Sequence, residues 1–210
     1  MPFIGNKPSA VPLTSADITD GIITSAKIAD GTIVNADINA SAGIVTSKLS
    51  GALGITEADV FRVNTTFTGD ASPITSNWER ADDTSAGLLG TGMSQSSGVF
   101  TFPSTGYYLV KFFHNFYHTG DDRSVEAAIY VSTDGGSSYD QTASGLSMLK
   151  NITGGLNSAG SSVAECLLDV TSTANIKVTF YVIKQNSGTT SYGDSSSNRV
   201  YATFIRLGDT

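Results

Sequence analysis

The sequence has a single cysteine and few charged residues, and each shortage excludes a class of protein. One cysteine, Cys166, excludes an intrachain disulfide framework. It stands in an apolar run with Leu167 and Leu168, which favours a buried structural thiol over a nucleophile. Only 15% of the residues are charged, the formal net charge is −7, and lysine and arginine form no cluster. We therefore expect neither nucleic acid nor an anionic membrane as a partner.

Long apolar runs and a recognisable export signal are also missing. No stretch approaches the roughly 18 apolar residues that a bilayer-spanning helix needs, so we expect no membrane insertion. Residues 1–12 lack the basic and then apolar pattern of a secretory signal, which predicts assembly in the cytoplasm. The same residues have no periodicity. We interpret them as an N-terminal attachment segment, with a flexible tail as the alternative.

An aliphatic residue recurs every five positions in the next part of the chain. The spacing is strict until one inserted residue, and the members are Leu13, Ile18, Ile23, Ile28, Ile33, Ile38, Ile44 and Leu49. A small residue stands two places before each member from Ile18 onward. A period of five matches neither an α-helix nor a flat strand.

One aliphatic residue in five is too few for a core made by one chain, so this row has to meet partners. Three identical chains wound around a common axis would provide them. The alternative is one chain coiled as a solenoid, and the spacing superficially resembles pentapeptide-repeat solenoids. Repeat arrays need several stacked units to be stable, and the repeats here are too few for two full turns. The pattern therefore favours a multichain fibre stem over residues 13–55.

Beyond a glycine-containing hinge near residue 55, the sequence is rich in strand-forming residues. The predicted strands are 60–67, 76–80, 98–102, 107–118, 124–132, 147–151, 163–170, 175–183 and 199–207. Turn signals and polar loops at 153–162 and 185–198 separate them. Many short strands without a helical period predict an all-β, antiparallel jelly-roll head over residues 56–210, with Trp78 in its core.

The predicted strand 107–118 is apolar on both of its alternating faces. One face carries Tyr108, Val110, Phe112 and Phe116, and the other carries Tyr107, Leu109, Phe113 and Tyr117. A strand with one wet face would alternate apolar with polar residues instead. We therefore expect a neighbouring subunit on one side. Tyr107, Phe113 and Tyr117 are assigned to a trimer interface, together with the repeat residues from Ile18 to Leu49.

Two stretches resemble known families. Residues 18–33, with their Ser/Thr/Asp/Gly-rich repeats, resemble the stems of bacteriophage tail-fibre and virion-appendage proteins. Residues 98–108 and the closing strand 201–208 resemble the signature of complement-globular-head and tumour-necrosis-factor-like jelly rolls. Those families form homotrimers through aromatic faces. The resemblance thus implies an intertwined homotrimer in which a trimeric stem leads into a trimeric head.

The function implied by these resemblances is structural and binding. The first hypothesis is a trimeric fibre of a phage virion whose head binds a host cell-surface receptor or glycan, with residues 1–12 joined to other virion proteins. The second is a capsid-surface fibre or decoration protein with a mainly structural head. A polysaccharide depolymerase is a third, and a cellular adhesin or cytokine-like ligand, which would need a secretion signal, is a fourth.

Residues that could carry chemistry are few. Serines are abundant, but none has a Gly-x-Ser-x-Gly context, and we predict no catalytic residue and no enzyme. His114 and His118 share a strand face but have no carboxylate or cysteine at matching spacing, which favours packing at an interface over metal binding. The acidic pairs at 82–83 and 121–122 lack a calcium-loop spacing. We expect no cofactor, with calcium as an unsupported alternative.

Loop residues are the expected receptor contacts. Binding residues are concentrated on loops that a rigid scaffold holds in place. Tyrosine and small polar residues adapt well to polar or sugar-like surfaces. The predicted contacts are Tyr139, Tyr192, Asp121, Asp122, Arg123, Asn157 and Asp194.

Overall fold

The computed structural model describes residues 14, 18–39, 41–44, 54–83, 87–151 and 154–210. The chain divides into two compact units, a stem unit, Met1–Ser50, and a head unit, Gly51–Thr210. Leu13, Leu49 and the predicted attachment segment lie outside the described residues. In the part of the chain that is described, no helix is long and apolar enough to cross a bilayer.

The stem is a succession of tight turns, one every five residues. A backbone N–H donates to the carbonyl oxygen three residues earlier, over 2.9–3.1 Å, at Ile22, Lys27, Thr32, Asp37 and Ala42. Short 3-10 helices occupy Ser25–Lys27 and Asn35–Asp37. Gly21 and Gly31 have φ values of 79° and 77°, which glycine adopts without steric cost. The five-residue period of the sequence is therefore one turn per repeat.

The aliphatic row of the stem is exposed in the single chain. Its described members are 39–55% exposed, and they are Ile18, Ile23, Ile28, Ile33, Ile38 and Ile44. Among the residues between 14 and 44 whose exposure is described, none is buried, and none of the described residues there lies in a strand. A solenoid would bury this row within one chain, so the structure argues against that alternative.

The head is built from strands. In its described part there are twelve, and their bounds are β1 Ala58–Val63, β2 Thr65–Thr68, β3 Trp78–Arg80, β4 Ser94–Ser96, β5 Val99–Thr101, β6 Gly106–His118, β7 Asp122–Ser132, β8 Asp140–Leu149, β9 Ser158–Val170, β10 Lys177–Lys184, β11 Thr190–Asp194 and β12 Val200–Gly208. Every ladder between these strands is antiparallel. The predicted all-β antiparallel architecture is confirmed.

Two sheets pack face to face. The seven-stranded sheet runs β2-β11-β6-β12-β1-β3, with β9 on the other edge of β6, and the five-stranded sheet runs β4-β5-β10-β7-β8. β6 pairs with β9 along its whole length, from Gly106 opposite Val170 to His118 opposite Ser158. On its opposite edge it pairs with β12 and then with β11. β6 is thus paired along both edges and has the edge strand β9 on one side.

Aromatic side chains fill the space between the sheets. Phe100 contacts Phe61, Trp78 and Phe180 edge-on, with ring centroids 5.1–5.3 Å apart. Such edge-to-face contacts add to the free energy of burying the rings. Trp78 packs against the buried cluster, as predicted, and its indole N–H donates to the carbonyl oxygen of Ile74.

Several strand predictions differ from the structure. The predicted strand 60–67 is two strands, β1 and β2, and β4 has no predicted counterpart. Strands 98–102 and 107–118 are confirmed as β5 and β6, which belong to different sheets, so the Pro103 turn crosses between layers. β8 begins at Asp140, earlier than the predicted strand 147–151, because its polar residues suit an edge strand with one wet face. The predicted loops 153–162 and 185–198 contain the start of β9 and all of β11. Both segments are rich in serine and glycine, which are not typical strand residues, so the sequence predicted loops there.

Candidate interaction surfaces

The outer face of the seven-stranded sheet is unusually apolar. Even-numbered residues of β6 point into the core, and odd-numbered residues point away from it. The resulting surface, which we call the aromatic face, consists of Tyr107, Leu109, Phe113, Tyr117, Val163, Leu167, Tyr201 and Ile205. Polar residues on the same face divide it, because Lys111 lies between Glu165 and Thr203 and Asn115 lies opposite Ser161. The predicted head residues of the trimer interface therefore lie together on one surface.

Strand register orders this face into rows. Leu109 lies opposite Leu167 on one side and Ile205 on the other. Phe113 stacks on Tyr201 with ring centroids 5.2 Å apart. Leu167 is 59% exposed, and Tyr107 is 39% exposed. A sheet face with one wet side ordinarily carries polar residues throughout, so exposed apolar rows of this size indicate an interaction site.

The far end of the aromatic face carries two of the predicted receptor contacts. Tyr192 packs against Tyr117, with ring centroids 4.7 Å apart. The Arg199 guanidinium lies 4.8 Å from the centre of the Tyr192 ring, and its Nε donates to Asp194 over 2.9 Å. The backbone N–H of Ser196 and then Arg199 lower the pKa of Asp194. Tyr192 and Asp194 thus form one cluster, next to the expected interface.

A second group of predicted contacts lines an open depression of about 670 Å³. Asp121, Asp122 and Arg123 form one side, and residues 185–187 form the other. The Asn186 side chain donates to the carbonyl oxygen of Asp121 over 3.1 Å, which ties the two sides together. The depression is therefore a polar, loop-built concavity.

Asp122 is not an exposed contact, so that expectation is wrong. Its side chain is buried and accepts hydrogen bonds from the Thr189 hydroxyl and the Ser124 N–H. Lys184 lies close by and donates to the carbonyl oxygens of Gly69 and Thr189 over 2.7 and 3.1 Å. Burial lowers the pKa of Lys184 to about 8, and nearby carboxylates partly oppose this shift. Asp122 therefore has a structural role, joining the start of β7 to the segment that precedes β11.

The remaining two predicted contacts belong to neither group. Asn157 is exposed just before β9, and Tyr139 is half-buried at the turn between β7 and β8. The structure therefore does not assemble the seven predicted residues into one site.

Sequence reasoning missed a polar and aromatic cluster on the outer face of the five-stranded sheet. Tyr130 stacks on Tyr181 with ring centroids 3.9 Å apart. The Tyr130 hydroxyl donates to Gln141, and the Gln141 amide donates to Glu126. The sequence feature that could have revealed this cluster is the alternation of Tyr130 with Ile129, because it places the tyrosine on the outer face.

His114 lies in the core of the head, not at the aromatic face, so its predicted place at an interface is wrong. Its Nδ1 is 3.3 Å from the Ser162 hydroxyl and its Nε2 is 2.8 Å from the Ser191 hydroxyl. Burial, and then the charge of Lys184, hold the pKa of His114 well below its usual value. Among the described residues, no group of three or more His, Cys, Asp or Glu side chains is placed to hold a metal ion.

Cys166 is half-buried on β9. Burial, and secondarily Glu165, raise the pKa of its thiol to about 11. The reactive thiolate is therefore scarce at neutral pH, which agrees with a structural role.

A buried arginine fixes the loops beside the aromatic face. Arg62 donates through Nε to Glu79 over 2.7 Å and through Nη1 to Asp83 over 2.6 Å. It also contacts Asp82 and the carbonyl oxygen of Ser195. A fully buried guanidinium needs this many acceptors, and removing one partner of such a pair costs several kcal/mol. This network anchors residues 82–83 and 195 against β1.

Solved structures with a similar fold identify the architecture. The chain is similar to the Eiger TNF from S. frugiperda, at 13% identity and a TM-score of 0.54, over 75% of this chain and 96% of that one. It is also similar to murine APRIL at pH 5.0, at 8% identity and a TM-score of 0.52, over 72% and 98% of the two chains. Murine APRIL at pH 8.5 matches at 10% identity with a TM-score of 0.50. The head is thus a tumour-necrosis-factor-like jelly roll, as predicted.

No protein-family model and no curated protein sequence matches the chain. The similarity is therefore one of fold.

Proposed function

We propose that the chain forms a homotrimeric fibre of a phage virion and that its head binds a receptor or glycan on the host cell surface. The observation that carries this proposal is the aromatic face. It leaves Tyr107, Val163 and Leu167 at least 39% exposed in the single chain. Burying apolar surface stabilises an association by about 25 cal/mol per Å². A second copy of the chain is the partner that is always present at a matching concentration.

Self-association through this face also accounts for the stem. Three copies of the turn-based repeat, held side by side by their heads, can bring their isoleucine rows together. Each row offers one aliphatic residue per turn, which is enough for a core formed by three chains although not for a core formed by one. A closed threefold arrangement satisfies all three chains equally and leaves no open surface for further growth. The tumour-necrosis-factor-like fold of the head supports the same proposal.

The binding role follows from the trimer. Three identical heads present three identical sites, so that weak individual contacts combine into high avidity. Loop surfaces such as the depression at Asp121 and Arg123 remain available when the aromatic face is covered. We assign the head no catalysis, because Cys166 and His114 both have structural roles. The fibre would reach the virion after assembly in the host cytoplasm, with residues 1–12 joined to other virion proteins.

Two experiments on phage particles that carry the chain test this proposal. An antibody against the head, applied to purified particles and viewed by electron microscopy, should label fibres at the tail. The isolated full-length protein, fluorescently labelled, should bind host cells and should compete with particle adsorption.

The other outcomes are equally informative. Labelling over the capsid together with no binding to cells would favour a structural decoration protein. Release of new reducing ends from host envelope material, with loss of this activity in a carboxylate variant, would favour a depolymerase. Absence of label from the particles would overturn the virion proposal.

A further inference from the structure

We propose that the outer face of the five-stranded sheet carries a saccharide-binding site for neutral sugars, built on Tyr130 and Tyr181. We call this site the tyrosine platform and define it as Tyr130, Tyr181, Tyr139, Gln141, Glu126 and Leu146. The inference rests on the proposed function, because it names a site and a ligand class for a head that binds the host surface. Of its members, Tyr139 alone is among the loop contacts predicted from the sequence.

Two tyrosine rings form the centre of the platform. Tyr130 alternates along β7 with the buried Ile129, and Tyr181 alternates along β10 with the buried Phe180. Both tyrosines therefore point away from the core. Their rings stack with centroids 3.9 Å apart and an interplanar angle of 24°. The stack fixes both side chains in place, so that little conformational entropy is lost when a ligand contacts them.

Polar groups at the edge of the rings are connected by hydrogen bonds. The Tyr130 hydroxyl donates to Gln141 Oε1 over 2.9 Å, and Gln141 Nε2 donates to Glu126 Oε1 over 3.1 Å. An amide nitrogen carries two hydrogens, and this is the single donation that the described residues give it. The second N–H of Gln141 and the free oxygen of Glu126 are a donor and an acceptor side by side. Adjacent hydroxyl groups of a sugar match such a pair.

Apolar surface continues beyond the rings. Leu146 lies opposite Glu126 in the strand register and is 67% exposed. Tyr139 stands just before β8, two residues before Gln141, and is half-buried. A pyranose ring has an apolar C–H face and a rim of hydroxyl groups. The platform offers the complementary arrangement of aromatic and aliphatic surface beside hydrogen-bonding groups.

Charge restricts the class of sugar. Glu126 belongs to the platform, and the Asp134 carboxylate accepts hydrogen bonds from the backbone N–H groups of Ser137 and Ser138, in the turn just before Tyr139. The chain as a whole carries a formal charge of −7. Carboxylates at the site repel sialic acids, uronic acids and sulfated sugars. A neutral hexose or N-acetylhexosamine fits this environment.

The position of the platform suits a trimer. It lies on the five-stranded sheet, whereas the aromatic face lies on the outer side of the seven-stranded sheet. Association through the aromatic face therefore leaves all three platforms open. Three exposed copies would convert weak binding of single sugars into avid binding of a glycan-coated surface.

The test is an array of neutral hexose and N-acetylhexosamine oligosaccharides, with sialylated and sulfated oligosaccharides beside them. Full-length wild type should bind neutral members. Tyr181→Ala removes one stacked ring and should weaken binding about tenfold, which corresponds to about 1.4 kcal/mol. Tyr181→Phe keeps the ring and should stay within about threefold of wild type. Gln141→Ala changes an exposed side chain and should also weaken binding.

Matched controls separate this inference from the proposed function. Ser94→Ala changes an exposed residue on β4, at the opposite edge of the same sheet, and should bind the array as wild type does. Arg123→Ala tests the loop depression as the alternative site. If Tyr181→Ala and Gln141→Ala bind like wild type, or if Arg123→Ala alone loses binding, the platform is overturned while a sugar-binding head remains. If wild type binds host cells but only acidic sugars or none, the platform is again overturned. If wild type binds neither cells nor sugars, both proposals fail. A change of oligomeric mass in Tyr181→Ala would instead assign this face to a contact between copies.

Discussion

His114 is the residue whose chemistry contrasts most with its surroundings. Its ring lies between those of Phe112 and Phe116, with centroids 6.4 and 5.1 Å away, and two serine hydroxyls meet its nitrogens. The nearby cation Lys184 adds to the cost of protonating it. The residue is thus held neutral in the folded protein, although a free imidazole would begin to take up a proton near pH 6.5.

This burial predicts a specific pH dependence of stability. The pKa of His114 is lower in the folded than in the unfolded state. Below about pH 6.5, His114 therefore binds a proton in the unfolded state but not in the folded state. The free energy of unfolding falls as the pH falls. The slope from this residue approaches about 1.4 kcal/mol per pH unit until the folded pKa is reached.

The measurement is chemical denaturation at pH 7.5, 6.0 and 5.0, at fixed protein concentration. Wild type should lose stability over this range faster than His114→Gln, which has no group to protonate. Parallel losses in the two proteins would show that His114 contributes nothing to the pH dependence.

Gly145 tests how closely the two sheets approach at their shared edge. A Cβ added there would lie 1.8 Å from the carbonyl oxygen of Val163 on β9, which is backbone and has little freedom to move. Gly145→Ala should therefore destabilise the head by about 3 kcal/mol or more, as severe overpacking does. Gly87→Ala is the control, because a Cβ at Gly87 meets nothing within 4 Å. Thermal melting of both variants checks the prediction, and equal melting temperatures would contradict it.

At the residue scale, the sequence predicted whether a strand residue faces the core or the surface better than it predicted which residues form a binding site. The alternation along β6 correctly separated core residues such as Phe112 from outer residues such as Phe113. Asp122 was misjudged because an aspartate in a polar loop gives no sign that Thr189, distant in sequence, covers it. Tyr130 was overlooked because its partner Tyr181 is contributed by another strand.

At the scale of elements, β9 offers the sharpest test of the aromatic face. Leu167 is 59% exposed in the single chain, so Leu167→Glu should leave the fold of the head intact. In the trimer the same substitution buries a charge in an apolar contact, which costs several kcal/mol per ion. We expect sedimentation velocity to show dissociated chains at micromolar concentration.

Leu146 provides the matched control, since it is 67% exposed on β8 of the other sheet. Leu146→Glu should keep the trimer. If both variants stay associated, or if both dissociate, the aromatic face is not the contact that joins the copies.

Element prediction from the sequence succeeded where strands are apolar and failed where they are not. β6, β10 and β12 carry aromatic and branched residues and were placed to within two residues. β11 is short and polar, and it forms a strand because β6 and β2 hold it on both sides. That stabilisation comes from partners far away in sequence, so local pattern cannot reveal it.

In the stem the sequence pattern predicted the need for partner chains but not the local backbone conformation. Its period of five excluded helix and strand, and the structure resolves the period into one hydrogen-bonded turn per repeat. The sequence could not reveal the turns themselves, because glycine at positions such as Gly21 and Gly31 permits several turn types. The exposed isoleucine row remains the feature that requires partners.

At the scale of the whole molecule, stem and head each expose an apolar surface that one chain leaves uncovered. A monomer would keep both surfaces in water, where apolar patches of this kind promote association. The proposed homotrimer would cover both with the same symmetry. The fold could be predicted because turn signals and aromatic strands are local features, whereas the receptor depends on surface detail that the fold does not specify.

The most direct test of this account is the mass of the full-length protein in solution, measured by light scattering after size exclusion. The account predicts three times the 21.8 kDa chain mass, unchanged on dilution through the micromolar range. A mass of one chain would contradict it, because neither the isoleucine row nor the aromatic face would then have a partner.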